Sequence, residues 1–162
     1  MSGGQRTLAH NQCRDEIFNL ASTALLNPQK EAHPFANSQR IDLVLHTGFP
    51  KTMLLDLAIT HALARSNLRE ALSAPGGAAT AYEQVKVSEY GSSVLPHQTL
   101  CPLVVDTFGA WGNSAVPVLA KMAHNFARRS MLGRWGVSEF YTRLNTRVMR
   151  SVADLLLLNS QE

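Results

Sequence analysis

The sequence predicts an α/β (α+β) domain in which helices flank a β-sheet. Three observations predict it. Apolar residues recur at helical spacing near both ends of the chain, short apolar runs bounded by glycine and proline lie between them, and one later run is continuously apolar. The predicted order is helix, three strands, helix, strand and two helices.

Length and composition indicate one domain over residues 1–162. The chain has 162 residues, 45% hydrophobic and 17% charged, enough to bury one core. No apolar run approaches the roughly 18 residues of a membrane span, and residues 1–6 lack an apolar signal core, so we expect an intracellular protein without a membrane segment. Cys13 and Cys101 are too far apart for a zinc cluster or a disulfide framework, and we expect buried, reduced thiols.

The first half of the chain predicts a long helix and a β-hairpin. An apolar stripe over residues 8–26 predicts the helix, which Asn27-Pro28 ends. Short strands are predicted at 31–35, 41–46 and 53–60. The last two flank a loop of hairpin length that contains glycine and proline, so we expect them to pair antiparallel.

The second half predicts a helix, a strand and two further helices. Residues 78–90 follow a Pro-Gly-Gly turn and predict a helix that ends at Gly91. The continuous apolar run at 103–107 is typical of a strand covered on both faces inside a sheet. Asn113 or Ser114 is expected to cap a helix through Arg129, and the last helix is expected to end near Leu158.

Basic residues concentrate near the C-terminus, although the net charge of +3 is mild. Glu139 is the only acid between residues 121 and 150. Such a segment could lie along a phosphate backbone, and the ordinary alternative is a solvated helical face. The cations are Lys121, Arg128, Arg129, Arg134, Arg143, Arg147 and Arg150.

Two aspartates stand in apolar strands. Asp42 lies at the start of one strand of the predicted hairpin, and Asp56 lies inside the other. An unpaired buried carboxylate is costly, so each needs a cation, a hydrogen-bond network or a metal. If the strands pair, the two carboxylates meet and offer the oxygen ligands that Mg²⁺ prefers. The ordinary alternative is a carboxylate that caps a loop or pairs with an arginine such as Arg40.

The following helix adds a cation to this group. Glu83, Lys86 and Tyr90 have the spacing i, i+3, i+7, which places them on one side of a helix. An amine such as that of Lys86 can orient an attacking water or neutralise charge on a scissile phosphate. The ordinary alternative is an exposed lysine paired with Glu83 or Glu89. We expect the six histidines to be surface or core-edge residues, not metal ligands.

These residues resemble a known family. The pattern Arg40-Ile41-Asp42, thirteen intervening residues, Asp56, and then Lys86-x-x-x-Tyr90 is similar to the restriction-like endonuclease domain of site-specific retrotransposons that lack long terminal repeats. That domain belongs to the PD-(D/E)XK nuclease superfamily. Flanking segments at 6–14, 55–60, 77–79 and 102–109 are also similar, and the likeness covers about residues 5–130.

The resemblance implies a restriction-endonuclease-like core with a central mixed sheet, followed by two basic C-terminal helices at about 113–158. It implies a metal-dependent DNA endonuclease that hydrolyses phosphodiester bonds with Mg²⁺, for which Mn²⁺ can substitute. Asp42, Asp56, Lys86 and Tyr90 would be catalytic. Asp42 and Asp56 would also bind the metal with Glu31, and Glu16 and Glu83 are the competing candidates for that third acid.

The predicted partner is DNA, and a nuclear location is expected if the element is eukaryotic. A homodimer and membership of a longer reverse-transcriptase polyprotein are left open. The predicted DNA contacts are Arg40, Lys121, Arg128, Arg129, Arg134, Arg143 and Arg147.

Two positions depart from the superfamily pattern. Ile41 replaces the usual proline, and Ala58 stands where most members have lysine. The retrotransposon branch moves its lysine to the following helix, which Lys86 matches. Without that relocation, the chain would be a catalytically decayed nucleic-acid-binding module with the same fold.

Overall fold

A mixed four-stranded sheet forms the centre of the computed structural model, which describes residues 3–35 and 39–159. Within these residues the strands lie in the order β1-β2-β3-β4, with the first three antiparallel and β3 parallel to β4. The predicted hairpin between β2 and β3 is therefore confirmed. The strand bounds are β1 Pro28–Ala32, β2 Ile41–Leu45, β3 Thr52–Thr60 and β4 Gln98–Asp106.

Helices flank both faces of the sheet, as the sequence predicts for an α/β (α+β) fold. The predicted order of elements is confirmed, with one short helix, α2, added before α3. No helix in the described ranges is long and apolar enough to span a membrane. The helix bounds are α1 Gly3–Thr23, α2 Leu68–Ser73, α3 Gly77–Tyr90, α4 Ala115–Arg129 and α5 Gly136–Asn159, with short 3₁₀ turns at Gly91–Ser93 and Gly133–Trp135.

Alternating side chains of the strands build two separate cores. Leu43, Leu55 and Leu103 face a large cluster with α1, α4 and α5, and each is at most 1% exposed. Burial of an aliphatic side chain of this size stabilises the fold by roughly 1.5–3 kcal/mol. Leu54 points to the opposite face, where it packs with Tyr90 at the end of α3. The sheet is thus covered by α1, α4 and α5 on one side and by the end of α3 on the other.

Two strands differ from the prediction. β1 begins three residues earlier than predicted. The sequence did not indicate this start, because the exposed residues of β1 do not alternate with buried ones. β4 begins at Gln98 and contains Pro102, which the sequence indicated as part of a loop. It is also an edge strand of the described sheet, where the prediction placed it inside. Proline lacks a backbone N–H, and an edge strand tolerates it because one side of the strand needs no ladder bonds.

Candidate active site

The pairing between β2 and β3 stops next to the two predicted aspartates. The last ladder pair is Leu43 with Leu55, so antiparallel geometry would place Asp42 opposite Asp56. Instead, the Leu57 backbone N–H donates to Asp42 Oδ2 at 2.8 Å. Asp42 and Asp56 are 8% and 5% exposed. The strands therefore separate at this point, and a buried carboxylate replaces a backbone acceptor of the ladder.

His10 of α1 holds Asp42 from the helix layer. Its Nε2 lies 3.1 Å from Asp42 Oδ2 and 3.1 Å from the Leu57 carbonyl oxygen. A carboxylate and a carbonyl only accept, so Nε2 carries a proton and donates. The hydrogen bond to Asp42 raises the pKa of His10 above 6.5 against the opposing effect of burial. The sequence prediction missed this contact, although His10 lies one helical turn before the buried Cys13 and so faces the core.

Lys86 of α3 reaches Asp56 from the other face of the sheet. Its Nζ lies 3.1 Å from Asp56 Oδ2 and 3.4 Å from Glu89 Oε2, and the lysine side chain is 17% exposed. Burial lowers the pKa of Lys86, but the negative charge of Asp56 more than offsets this, and the pKa is raised overall. Lys86 is therefore an ammonium at neutral pH.

Asp56 is a carboxylate whose ionisation is made costly by its surroundings. Burial raises its pKa, Lys86 lowers it, the negative charge of Asp42 raises it again, and the net shift is upward. The two residues follow the last ladder pair, Leu43 with Leu55, on neighbouring strands. Within the described residues, Oδ2 of Asp56 has Lys86 as its ion-pair partner and no well-aligned hydrogen-bond donor. A divalent cation would have to share this carboxylate with Lys86 or displace the ammonium from it.

Tyr90 completes the predicted group at the end of α3. Its ring stacks on Phe35 with the centroids 5.7 Å apart. Lys86 Nζ lies 5.7 Å from the centroid of the same ring. Burial, followed by the negative charge of Asp56, raises the pKa of Tyr90 to about 12. Tyr90 is therefore a protonated phenol at neutral pH, close to Asp56 and Lys86.

The predicted third acid is not brought to the two aspartates. Glu31 forms an ion pair with Arg14 and lies 3.4 Å from Arg40. Glu16, its competitor, accepts a hydrogen bond from Arg143 Nε at 2.9 Å. In the part of the chain that the structure describes, no three acid, histidine or cysteine side chains are arranged to hold a metal. A cation here would have two protein carboxylates and would complete its shell with water and substrate.

Glu83, the other candidate for the third acid, stabilises the start of α4. Its carboxylate is fully buried and accepts the backbone N–H of Ser114 at 3.0 Å and that of Ala115 at 3.2 Å. These N–H groups open α4, where the positive end of the helix dipole favours a negative charge. Ser114, one of the two predicted caps, is the N-cap residue of α4, but its side chain makes no cap hydrogen bond.

The predicted DNA-contact residues lie in several places. Arg143 and Arg147 line a groove between α1 and α5. Lys121 lies over the Phe49 ring near the turn between β2 and β3, with Nζ 4.7 Å from the centroid. Arg40 pairs with Glu31 beside the start of β2. Arg128, Arg129 and Arg134 are exposed at the end of α4 and in the turn after it.

Two buried carboxylates, Asp42 and Asp56, are the protein ligands that this region offers to a divalent cation. Mg²⁺ is commonly held by one or two carboxylates together with waters and substrate phosphates, and Asp42 and Asp56 offer two. Comparison of the chain with protein-family models and with curated proteins gave no match. The function is therefore proposed from the site and from the resemblance of its residues to the endonuclease domain.

Proposed function

We propose that the chain is a metal-dependent DNA endonuclease with a restriction-endonuclease-like core, from a mobile element of the reverse-transcriptase type. The observation that carries the proposal is the pair of buried carboxylates Asp42 and Asp56 just beyond the last ladder pair of β2 and β3, with Lys86 Nζ 3.1 Å from Asp56. Two carboxylates beside an ammonium suit a phosphodiester, because its charge needs neutralisation as the bond to phosphorus breaks. The order of elements and the mixed sheet are compatible with that core.

In this proposal Asp42 and Asp56 hold the divalent cation. A bound Mg²⁺ or Mn²⁺ would polarise a phosphoryl oxygen and lower the pKa of a bound water. His10 and the Leu57 N–H both contact Oδ2 of Asp42 and so fix the orientation of this carboxylate. In this proposal its other oxygen, Oδ1, binds the cation.

Lys86 is assigned to charge stabilisation. It stays protonated at neutral pH, because its pKa is raised, and so acts as a cation, not as a base. Its ammonium would neutralise negative charge on the phosphate beside Asp56. Tyr90 limits the positions of Lys86 by packing beneath it and offers a hydroxyl to the same region.

A second function is favoured by one specific observation. Asp56 already has a cation at 3.1 Å, and Ala58 occupies the usual lysine position. An acid neutralised in this way suits a decayed nucleic-acid-binding module, in which the pair only stabilises the fold.

Incubation with linear and branched DNA separates the two functions. The protein is tested with Mg²⁺, with Mn²⁺ and with a chelator, and Asp56→Ala is tested beside it. The nuclease predicts metal-dependent products that the variant does not form while it still binds DNA. Binding without metal-dependent products supports the module, and metal-dependent cleavage by Asp56→Ala removes the assignment of Asp56.

A further inference from the structure

A basic groove runs between α1 and α5, apart from the aspartates. Its volume is about 240 Å³, and its arginines follow the spacing i, i+4, i+7, which places them on one stripe of α5. The groove is lined by Glu16, Thr142, Arg143, Thr146, Arg147 and Arg150.

The groove has the chemistry of a phosphate site. Arg143 is fixed by Glu16, with Nε at 2.9 Å and Nη2 at 2.8 Å from the carboxylate. Arg147 lines the same groove as Glu16 of α1, one helical turn after Arg143. The lining residues carry two positive charges in excess, and the threonine hydroxyls add hydrogen-bond donors. Guanidinium groups match phosphate oxygens in geometry and remain charged at every physiological pH.

The groove and the aspartates share α1. His10 holds Asp42, and Glu16 lies six residues further along the helix, a rise of ~9 Å. The stripe from Arg143 to Arg150 covers ~10 Å of α5, which equals the rise of about three base pairs along a duplex axis at ~3.4 Å each. The guanidinium groups are thus spaced to contact neighbouring phosphates of one strand.

We propose that the groove between α1 and α5 binds the phosphodiester backbone of a nucleic acid, with Arg143, Arg147 and Arg150 contacting phosphates. This deepens the proposed function, on which it rests, by naming the basic residues that position the DNA. Glu16 is a positioning residue that orients Arg143. The exposed Arg69, on α2, lies outside the groove and is expected to contribute less to binding.

Salt-dependent binding of DNA tests the proposal. Binding of a short labelled duplex is measured by fluorescence anisotropy over a salt series, in chelator, so that no cleavage occurs. Arg147→Gln is expected to weaken binding about fivefold to tenfold near 0.1 M salt and to reduce the slope of log K against log[salt] by about 1. Arg147→Lys is expected to keep the slope. Arg69→Gln removes the same charge and is the matched control, with a change below about twofold.

The outcomes distinguish a failure of the groove proposal from a failure of the nuclease proposal. Equal effects of Arg147→Gln and Arg69→Gln overturn the groove as the binding site. Thermal melting checks each fold, and Arg150→Gln replaces Arg147→Gln if the latter unfolds. If the groove variants bind weakly but the wild-type protein never cleaves with Mg²⁺, the groove stands and the nuclease fails. If cleavage occurs and Arg147→Gln binds normally, the groove fails and the nuclease stands.

Discussion

Lys86 Nζ lies 3.1 Å from Asp56 Oδ2, and the two side chains are only 17% and 7% exposed. This pair ties α3 to β3 across one face of the sheet. An ion pair so well shielded from solvent is destabilised strongly when only one partner is removed, because the other is left as a buried charge.

Lys86→Met is predicted to lower the free energy of unfolding by about 3 kcal/mol at neutral pH. The loss should shrink in acid, because burial has already raised the pKa of Asp56 and protonation removes the stranded charge. Urea denaturation at several pH values measures it. Lys51→Met, which removes an exposed lysine from the turn before β3, is the control. An equal, small effect of both variants would contradict the structural importance of the pair.

The contact between His10 and Asp42 predicts a pH-dependent stability. The pKa of folded His10 lies above its unfolded value of 6.5, so its contribution is fully present below pH 6.5 and is lost as the pH rises through the raised pKa. Wild-type protein and His10→Gln are compared by urea denaturation in metal-free buffer from below pH 6.5 to about pH 9. The difference between them should fall with rising pH. A constant difference would mean that His10 does not gain a proton on folding.

Glu83→Gln is predicted to destabilise the fold by about 2 kcal/mol, because it weakens charge-assisted hydrogen bonds at the start of α4. Thermal and urea unfolding measure the change. Glu139→Gln makes the same chemical change on α5 and should cost less than about 0.5 kcal/mol. Similar values for both would show that the capping contacts contribute little.

Several helices and strands could be predicted because the residues that define them are neighbours in the sequence. The glycine and proline between β2 and β3 indicated the hairpin, and the spacing of Lys86 and Tyr90 placed both on one side of α3. The short helix α2 was not predicted, because it buries no residue and so has no apolar stripe. The start of β4 was missed because Pro102 is a loop signal unless the strand is known to lie at a sheet edge.

Contacts between distant residues could not be predicted in the same way. His10 meets Asp42 across 32 residues, and Glu83 reaches Ser114 across 31. Both contacts depend on how distant elements pack against each other, and a local sequence pattern does not contain that information. For the same reason, the prediction of Glu31 as the third metal ligand did not include its ion pairs with Arg14 and Arg40.

The two thiols are predicted to be unreactive in the folded protein. Burial raises the pKa of Cys13, and it raises that of Cys101 to about 12. A thiol reagent at about pH 8 should react with the native protein far more slowly than with the unfolded chain, since only the thiolate is the nucleophile. Rapid labelling of either cysteine in native buffer would contradict the packing of α1 or β4.

The central claim is that Asp42 and Asp56 act as one site. Single-turnover cleavage of DNA with Mg²⁺ is measured for the wild type, Asp42→Asn, Asp56→Asn and the double variant, with Asp154→Asn on the exposed face of α5 as control. Each single variant is predicted to lose at least about a hundredfold in rate, and the double variant to lose little more, because residues that act as a unit are not additive. Cleavage at the wild-type rate by either single variant would contradict the account.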